Sequence, residues 1–242
     1  MSVLPHSYSG SGKKEKVESM FDSIASRYDL LNRVLSAGID RRWRKKVIRI
    51  LSEHRPQYIL DIATGTADLA IAAAQIKPNR ITGIDISSGM LEVGRKKIEK
   101  KKLARMIDLI NADSTNMPFA EQSFDAITVG FGIRNFEDLE KGLSEMFRVL
   151  KNGGITVILE FSKPQGFPVK QLYSLYSRKI MPAIGQLLSK QKAAYEYLPE
   201  SVNAFPYGVQ LLKKLEEQGF KDTKWIPLTF GIASIYLAYK RS

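Results

Sequence analysis

The chain has 242 residues, is 44 % hydrophobic and carries a formal net charge of +12 at pH 7; that is enough for one sizeable core, with an excess of positive charge that favours an anionic partner. It contains no cysteine, which excludes a disulfide framework and thiol chemistry. Residues 1–10 lack the apolar core of a signal peptide and no run of about 18 apolar residues occurs, so the chain reads as neither secreted nor membrane-spanning.

Residues 1–15 are small, polar and basic, and are expected to be a mobile tail. Val17, Met20, Phe21, Ile24 and Ala25 then share one helical stripe, so a helix is expected to open at Val17. Tyr28, Asp29 and Asn32 are polar groups among apolar ones and are expected to hydrogen-bond specifically. Asp40 is placed to cap a helix over 41–52, with Trp43, Val47, Ile48 and Leu51 turned inward and Arg55-Pro56 at its exit.

The next stretch organises the rest. Tyr58–Ile62 reads as a buried strand, 63–66 as a turn of small residues and 68–74 as a helix. Gly65 lets a ligand pass close to the backbone, and the helix N-terminus beyond it can receive an electron-rich group. Asp61 ends the first strand on the crevice side, and Asp85 ends the second, Arg80–Asp85, about 20 residues beyond the glycine turn, where a carboxylate holds the two hydroxyls of a ribose. The cofactor therefore contains an adenosine. A pyrophosphate would be repelled by Asp61, Asp68 and Asp85, whereas the ammonium and sulfonium of S-adenosyl-L-methionine would be attracted. As alternatives, the turn is one that merely ends a strand and Asp68 a simple helix cap.

Ser87 or Ser88 is expected to cap the following helix, with Ser87 also expected among the cofactor contacts, and Met90 either lies over an adenine or is core. A third strand over 106–110 leads to Asp113-Ser114, where the carboxylate can accept the N6 amine of adenine. Phe124–Gly130 is the fourth strand; Phe131 is bracketed by glycines, and Arg134 and Asn135 follow, facing the crevice. Arg134 is the best candidate for handling a substrate oxygen, the alternative being a salt bridge to a nearby acid. Leu139–Val149 reads as a helix, Asn152-Gly153-Gly154 as a turn, and 155–160 as a fifth strand ended by Glu160 on the ligand side. An excursion over 161–207 is expected to form an inserted helical cap. Its first part, 161–195, has no acid and carries Lys163, Lys170, Arg178, Lys179, Lys190 and Lys192 among Phe167, Leu172, Leu175 and other apolar residues. It reads as a membrane-surface element or as an ordinary packed insertion with a wet basic face. A helix over 208–219 and two strands, over 221–227 and 231–239, are expected to close the fold as a hairpin. The result is a single α/β domain over 1–242, a Rossmann-like sheet with helices on both faces. No metal-ligating cluster is visible; His6 lies in the tail and His54 at a helix end on the far side.

Asp61-Ile62-Ala63-Thr64-Gly65 with Gly83-Ile84-Asp85 resembles the class I S-adenosylmethionine-dependent methyltransferases. Four longer stretches resemble the UbiE/MenG/COQ5 family of quinone-biosynthesis C-methyltransferases. They are Tyr28 to Asn32 with Ser36 and Trp43; Phe131-Gly132-Ile133-Arg134-Asn135; residues 148–154 leading to Glu160-Phe161-Ser162; and residues 197–201 with Phe205-Pro206. The resemblance covers about 17–240. It implies that Thr64 and Gly65 meet the methionine part of the cofactor, Asp85 the ribose and Asp113 the adenine. It further implies that Arg134 helps activate a quinol ring and that Tyr28, Tyr197 and Ser201 line the substrate side. Asp40 and Tyr236 stand where the family usually has histidine, which argues against acid–base work at those positions. Asn152 stands in place of a proline and still suits a turn.

The implied activity is methylation of demethylmenaquinol, with the benzoquinol precursor of ubiquinone left open as a second substrate. The implied partners are a polyprenylated quinol, an anionic membrane surface approached peripherally from the cytoplasm, and a second copy of the chain. An RNA methyltransferase, favoured by the charge alone, and a non-catalytic scaffold are the alternatives; no nucleic-acid module flanks the core, so no nucleic-acid partner is expected.

Overall fold

The computed structural model describes residues 3–5, 8, 10–176 and 192–241. Seven strands form one mixed sheet: β1 (Tyr58–Ile62), β2 (Arg80–Asp85), β3 (Ile107–Asn111), β4 (Phe124–Gly130), β5 (Leu150–Phe161), β6 (Lys221–Leu228) and β7 (Ala233–Tyr239), in the order β3-β2-β1-β4-β5-β7-β6. The first five run parallel; β7 enters antiparallel between β5 and β6. Both faces are covered, which is why the parallel strands read as almost continuous apolar runs. Along β1, Ile59 packs with α3 (Asp40–His54), α4 (Asp68–Ala73) and α5 (Ser88–Lys100). Leu60 and Ile62 pack on the other face with α6 (Leu139–Val149) and α9 (Val209–Glu217). The remaining helices are α1 (Lys13–Ile24), α2 (Tyr28–Leu35), α7 (Val169–Leu175) and α8 (Lys192–Ala204).

The chain leaves β1 toward β2 on one side and returns through β4 on the other. The crevice of such a sheet opens at this reversal, over the carboxyl ends of β1 and β4. The connection after β1 is tightly wound: Ala63, Gly65 and Ala67 all have positive φ, and Thr64 N–H donates to Ile84 O at 2.9 Å. A Cβ on Gly132 would fall inside the radius of Ala63 Cβ, so that glycine is required by the neighbouring turn.

Several expectations are corrected. The leading helix begins at Lys13, not Val17, so the last three residues of the expected tail are helical. Asp40 makes no cap bond; it accepts from Ser36 Oγ at 2.7 Å and pairs with Arg44 one turn on. Asn152-Gly153-Gly154 lies inside β5, where Gly153 N–H donates to Lys240 O at 2.7 Å; the pairing with β4 shifts register there, so a bulge stands where a turn was expected. In the excursion, α7 and α8 are described, whereas Arg178, Lys179 and Lys190 lie outside the described residues. Tyr236 is fully buried, and its hydroxyl accepts from Gly208 N–H at 2.8 Å, a packing role.

Candidate active site

Two neighbouring hollows occupy the crevice. The first lies over β1, β2 and β4 and is lined by Gly65, Asp85, Met90, Asp113, Ser114, Asn135 and Tyr28, among others. The second is an apolar cavity of about 390 Å³ between α1, α2, α3 and α7, lined in part by Arg134 and Tyr197. Phe21, Tyr28 and Phe131 belong to both walls.

In the first hollow, Asp85 is held from two sides. Its Oδ2 accepts from Gly65 N–H at 2.8 Å and its Oδ1 from Ser87 N–H at 2.9 Å. Burial nevertheless outweighs these bonds and pushes the carboxyl up to about 6. Such a group gains from further hydroxyl donors, as a ribose would provide. Asp113 accepts from Thr115 N–H at 2.8 Å and pairs with Lys14 at 2.7 Å. Although burial opposes it, the combined Lys14 and Thr115 bonds hold its carboxyl below the usual carboxylate range. Met90 is buried against Val17 and Met20 of α1, as core, and also lines the hollow.

Three expected cofactor contacts, Asp61, Thr64 and Ser87, are not on this wall. Alternation along β1 turns Asp61 under the turn, where it is buried and accepts from Thr64 Oγ1 and Thr128 Oγ1, each at 2.6 Å. Burial raises its carboxyl to about 6. Thr64 is thereby drawn inward. Ser87 caps α5 by accepting from Met90 N–H at 3.1 Å and donates to Asp22 at 2.6 Å. These three shape the turn from behind. Asp68, expected beside a cationic cofactor, instead pairs with Lys97 and with Arg44 at 3.5 Å.

Arg134 sits at the boundary of the second hollow. Its Nη1 pairs with the buried Glu160 at 2.8 Å and also donates to Phe131 O, its Nε donates to Ser201 Oγ at 3.3 Å, and the guanidinium lies 5.5 Å from the Phe161 ring centre. Glu160 in turn accepts from Phe161 N–H at 2.8 Å. The salt bridge foreseen as an alternative is present, and so is exposure to the cavity. Glu160 thus offsets the charge of Arg134 and orients its guanidinium. Tyr197 O–H donates to Asn135 Oδ1 at 3.1 Å. Ser201 is on neither main wall; it lies in a third hollow and touches the site through Arg134.

Sequence reasoning missed several residues. Lys13 Nζ donates to Phe136 O at 2.5 Å, tying α1 to the loop that follows Arg134, and Lys14 reaches Asp113; a basic pair at a helix start was the available signal. Glu137 joins Asp85 and Asp113 on the first wall, where Lys14 is the one cation among the described residues. Asn32, Ser36, Asp40 and Arg44 line the second cavity at four-residue spacing continuing from Tyr28.

This donor set suits a cofactor with hydroxyls and positive charge: three carboxylates would oppose a pyrophosphate. S-adenosyl-L-methionine meets that requirement; Gly65, Asp85, Met90 and Asp113, which line the hollow, are the residues that would hold it.

Comparison with known proteins agrees. A structure from Thermotoga maritima, described as a SAM-dependent methyltransferase and possible histamine N-methyltransferase, superposes with a TM-score of 0.65 at 17 % identity, covering 92 % of this chain and 99 % of that one, a likeness of fold. A Bacteroides fragilis protein named demethylmenaquinone methyltransferase is 52 % identical over 235 residues, 96 % of each chain. One from Geotalea daltonii, named ubiquinone/menaquinone biosynthesis C-methyltransferase UbiE, is 48 % identical over 230 residues, 94 % of this chain and 97 % of its own. The model of the ubiE/COQ5 methyltransferase family matches residues 10–240. An acid-walled cofactor cleft beside an apolar cavity is thus carried on a chain that matches one family almost from end to end, and this S-adenosylmethionine-dependent enzyme belongs to the ubiE/COQ5 methyltransferase family.

Proposed function

We propose that this enzyme transfers a methyl group from S-adenosyl-L-methionine to a ring carbon of a demethylated menaquinol, at the surface of an anionic membrane. The observation that carries this reading is the shared wall. An apolar cavity large enough for a fused aromatic ring adjoins the cofactor cleft, with Tyr28 and Phe131 common to both and Arg134 on the cavity wall.

Bound S-adenosyl-L-methionine supplies an already electrophilic methyl group. The chain's residues must align the ring carbon, exclude water and stabilise the oxygen that gains charge. Phe131, Phe161 and Trp43 pack against one another with centroids 4.5–6.3 Å apart, tilted and edge-on, and give the ring an apolar aromatic wall. Arg134, oriented by Glu160, donates to the developing oxyanion. Permanently protonated, it is no base. Asn135, fixed by Tyr197, stands beside it on the cofactor-side wall.

The surface reading rests on where the exposed apolar side chains sit. Phe167 is 83 % exposed, Leu172 62 % and Phe230 81 %, with Leu30 at 54 %. They belong to α7 and its entry loop, the turn before β7, and α2, the elements that form the cavity wall. Lys163 and Lys170 add positive charge nearby. A polyprenyl tail loses about 0.8 kcal/mol for each methylene drawn into water, so the ring is best met at the lipid boundary. No helix among the described residues is long and apolar enough to cross a membrane.

Purified enzyme and labelled S-adenosyl-L-methionine, incubated with vesicles holding demethylmenaquinol or the demethylated benzoquinol, test this reading. Selective label in the naphthoquinol, with vesicle co-sedimentation weakened by Phe167→Ser and Phe230→Ser, supports it. Equal transfer to both rings removes the menaquinol preference, and label only in added RNA overturns the reading.

A further inference from the structure

Against the sequence-based expectation that the missing histidine leaves this position without acid–base work, we infer that Asp40 is the proton acceptor of the reaction, taking the proton from the ring hydroxyl beside the carbon that becomes methylated; this rests on the quinol reading above. A phenolic ring carbon becomes a nucleophile only as its neighbouring O–H gives up a proton, and that proton needs a destination. Asp40 is the one carboxylate on the cavity wall among the described residues. It is 7 % exposed, within a wall otherwise built mainly from aromatic and aliphatic side chains.

The other polar groups of the wall do not compete. Arg44 and Arg134 stay protonated. Burial raises the phenols of Tyr28, Tyr173, Tyr176 and Tyr197, which keeps them neutral. Glu160, though close to Arg134, is fully buried and off the wall.

Asp40 is also held for the task. Its Oδ1 accepts from Ser36 Oγ at 2.7 Å and its Oδ2 from Arg44. These two donors keep the carboxylate facing one way, and Arg44 is anchored in turn by Asp68 at 3.5 Å. Tyr28, Asp40, Arg44 and Arg134 all line this one cavity, so a ring held in it meets the carboxylate and both arginines from the same space. Asp40 receives the hydroxyl proton directly or across one water. The ring's electron pair then forms the new C–C bond while the C–S bond breaks with its pair on sulfur, giving a neutral thioether. The C–H proton of the methylated carbon leaves, the oxygen takes back a proton from Asp40, and one proton in all is released to solvent.

The test measures kcat, KM and S-adenosyl-L-methionine affinity with vesicle-borne demethylmenaquinol. Asp40→Asn keeps the shape, and Arg44 retains Asp68; kcat is expected to fall at least about 100-fold, with cofactor affinity within about threefold of wild type. The charge-balanced Asp40→Asn/Arg44→Met variant, measured against Arg44→Met, decides the matter should the single variant fold poorly, and the same loss is expected. A kcat within threefold of its reference, or a raised KM with kcat unchanged, overturns the role. Inactive wild type would instead remove the quinol reading itself, so the two failures are distinct.

Discussion

Asp85→Asn should separate what this carboxylate does for the cofactor from what it does for the fold. Burial holds the carboxyl at about 6 against an ordinary value of 3.8. For an acid raised in the folded state, stability is complete at low pH, falls as pH rises from about 3.8 to about 6, and is flat above. At neutral pH the difference corresponds to about 3 kcal/mol against the folded protein. Asparagine removes that cost but turns an amide toward one of the two N–H groups of Gly65 and Ser87, which loses about 1–3 kcal/mol. The two effects nearly cancel, so without cofactor the variant should melt within about 1–2 kcal/mol of wild type. With cofactor the balance shifts. Loss of a charged acceptor for the ribose hydroxyls costs about 1.5–3 kcal/mol, or about 10- to 100-fold in Kd. Isothermal titration gives the Kd, and urea melts at pH 7 with and without S-adenosyl-L-methionine give both stabilities. Unchanged affinity, or equal destabilisation with and without cofactor, would refute the assignment.

The other expectations are more direct. Wild-type affinity for S-adenosyl-L-methionine should rise as pH increases through about 6 and level off above, because ribose hydroxyls bind the ionised Asp85; titration between pH 5 and 8 checks it, and a flat profile counts against the ribose contact. Arg134→Gln should lower kcat about 100-fold or more with cofactor affinity nearly unchanged, and should destabilise by about 3–5 kcal/mol because Glu160 is left buried without its partner. Adding Glu160→Gln should recover most of the stability and none of the turnover; recovered turnover would make Arg134 a packing element. Gly132→Ala should lose about 1–3 kcal/mol in urea melts by pressing on Ala63, and a melt equal to wild type would contradict the packing described here.

Much of the fold was legible because its signals are local. The apolar runs Tyr58–Ile62 and Phe124–Gly130 need both sheet faces covered, and a carboxylate directly after a strand must stand at the sheet's carboxyl edge. Asp85 and Asp113 were therefore placed correctly on the cleft. Asn152-Gly153-Gly154 misled for an equally physical reason. Glycines relax the backbone for a bulge as readily as for a turn, and only pairing with β7 distinguishes the two.

The α/β plan, the acid-lined glycine turn and the Arg134-Asn135 corner were readable from residue order, since each follows from residue type and spacing along one strand or turn. Tertiary structure alone decided which of these groups meet. Period-two alternation does not say which face a ligand takes, so Asp61 and Thr64 were expected on the cleft and lie beneath it. Lys14 meets Asp113, Arg134 meets Glu160 and Asp40 reaches the cavity wall through the packing of separate elements. Those contacts depend on burying apolar faces together, and no local stretch of chain carries that information.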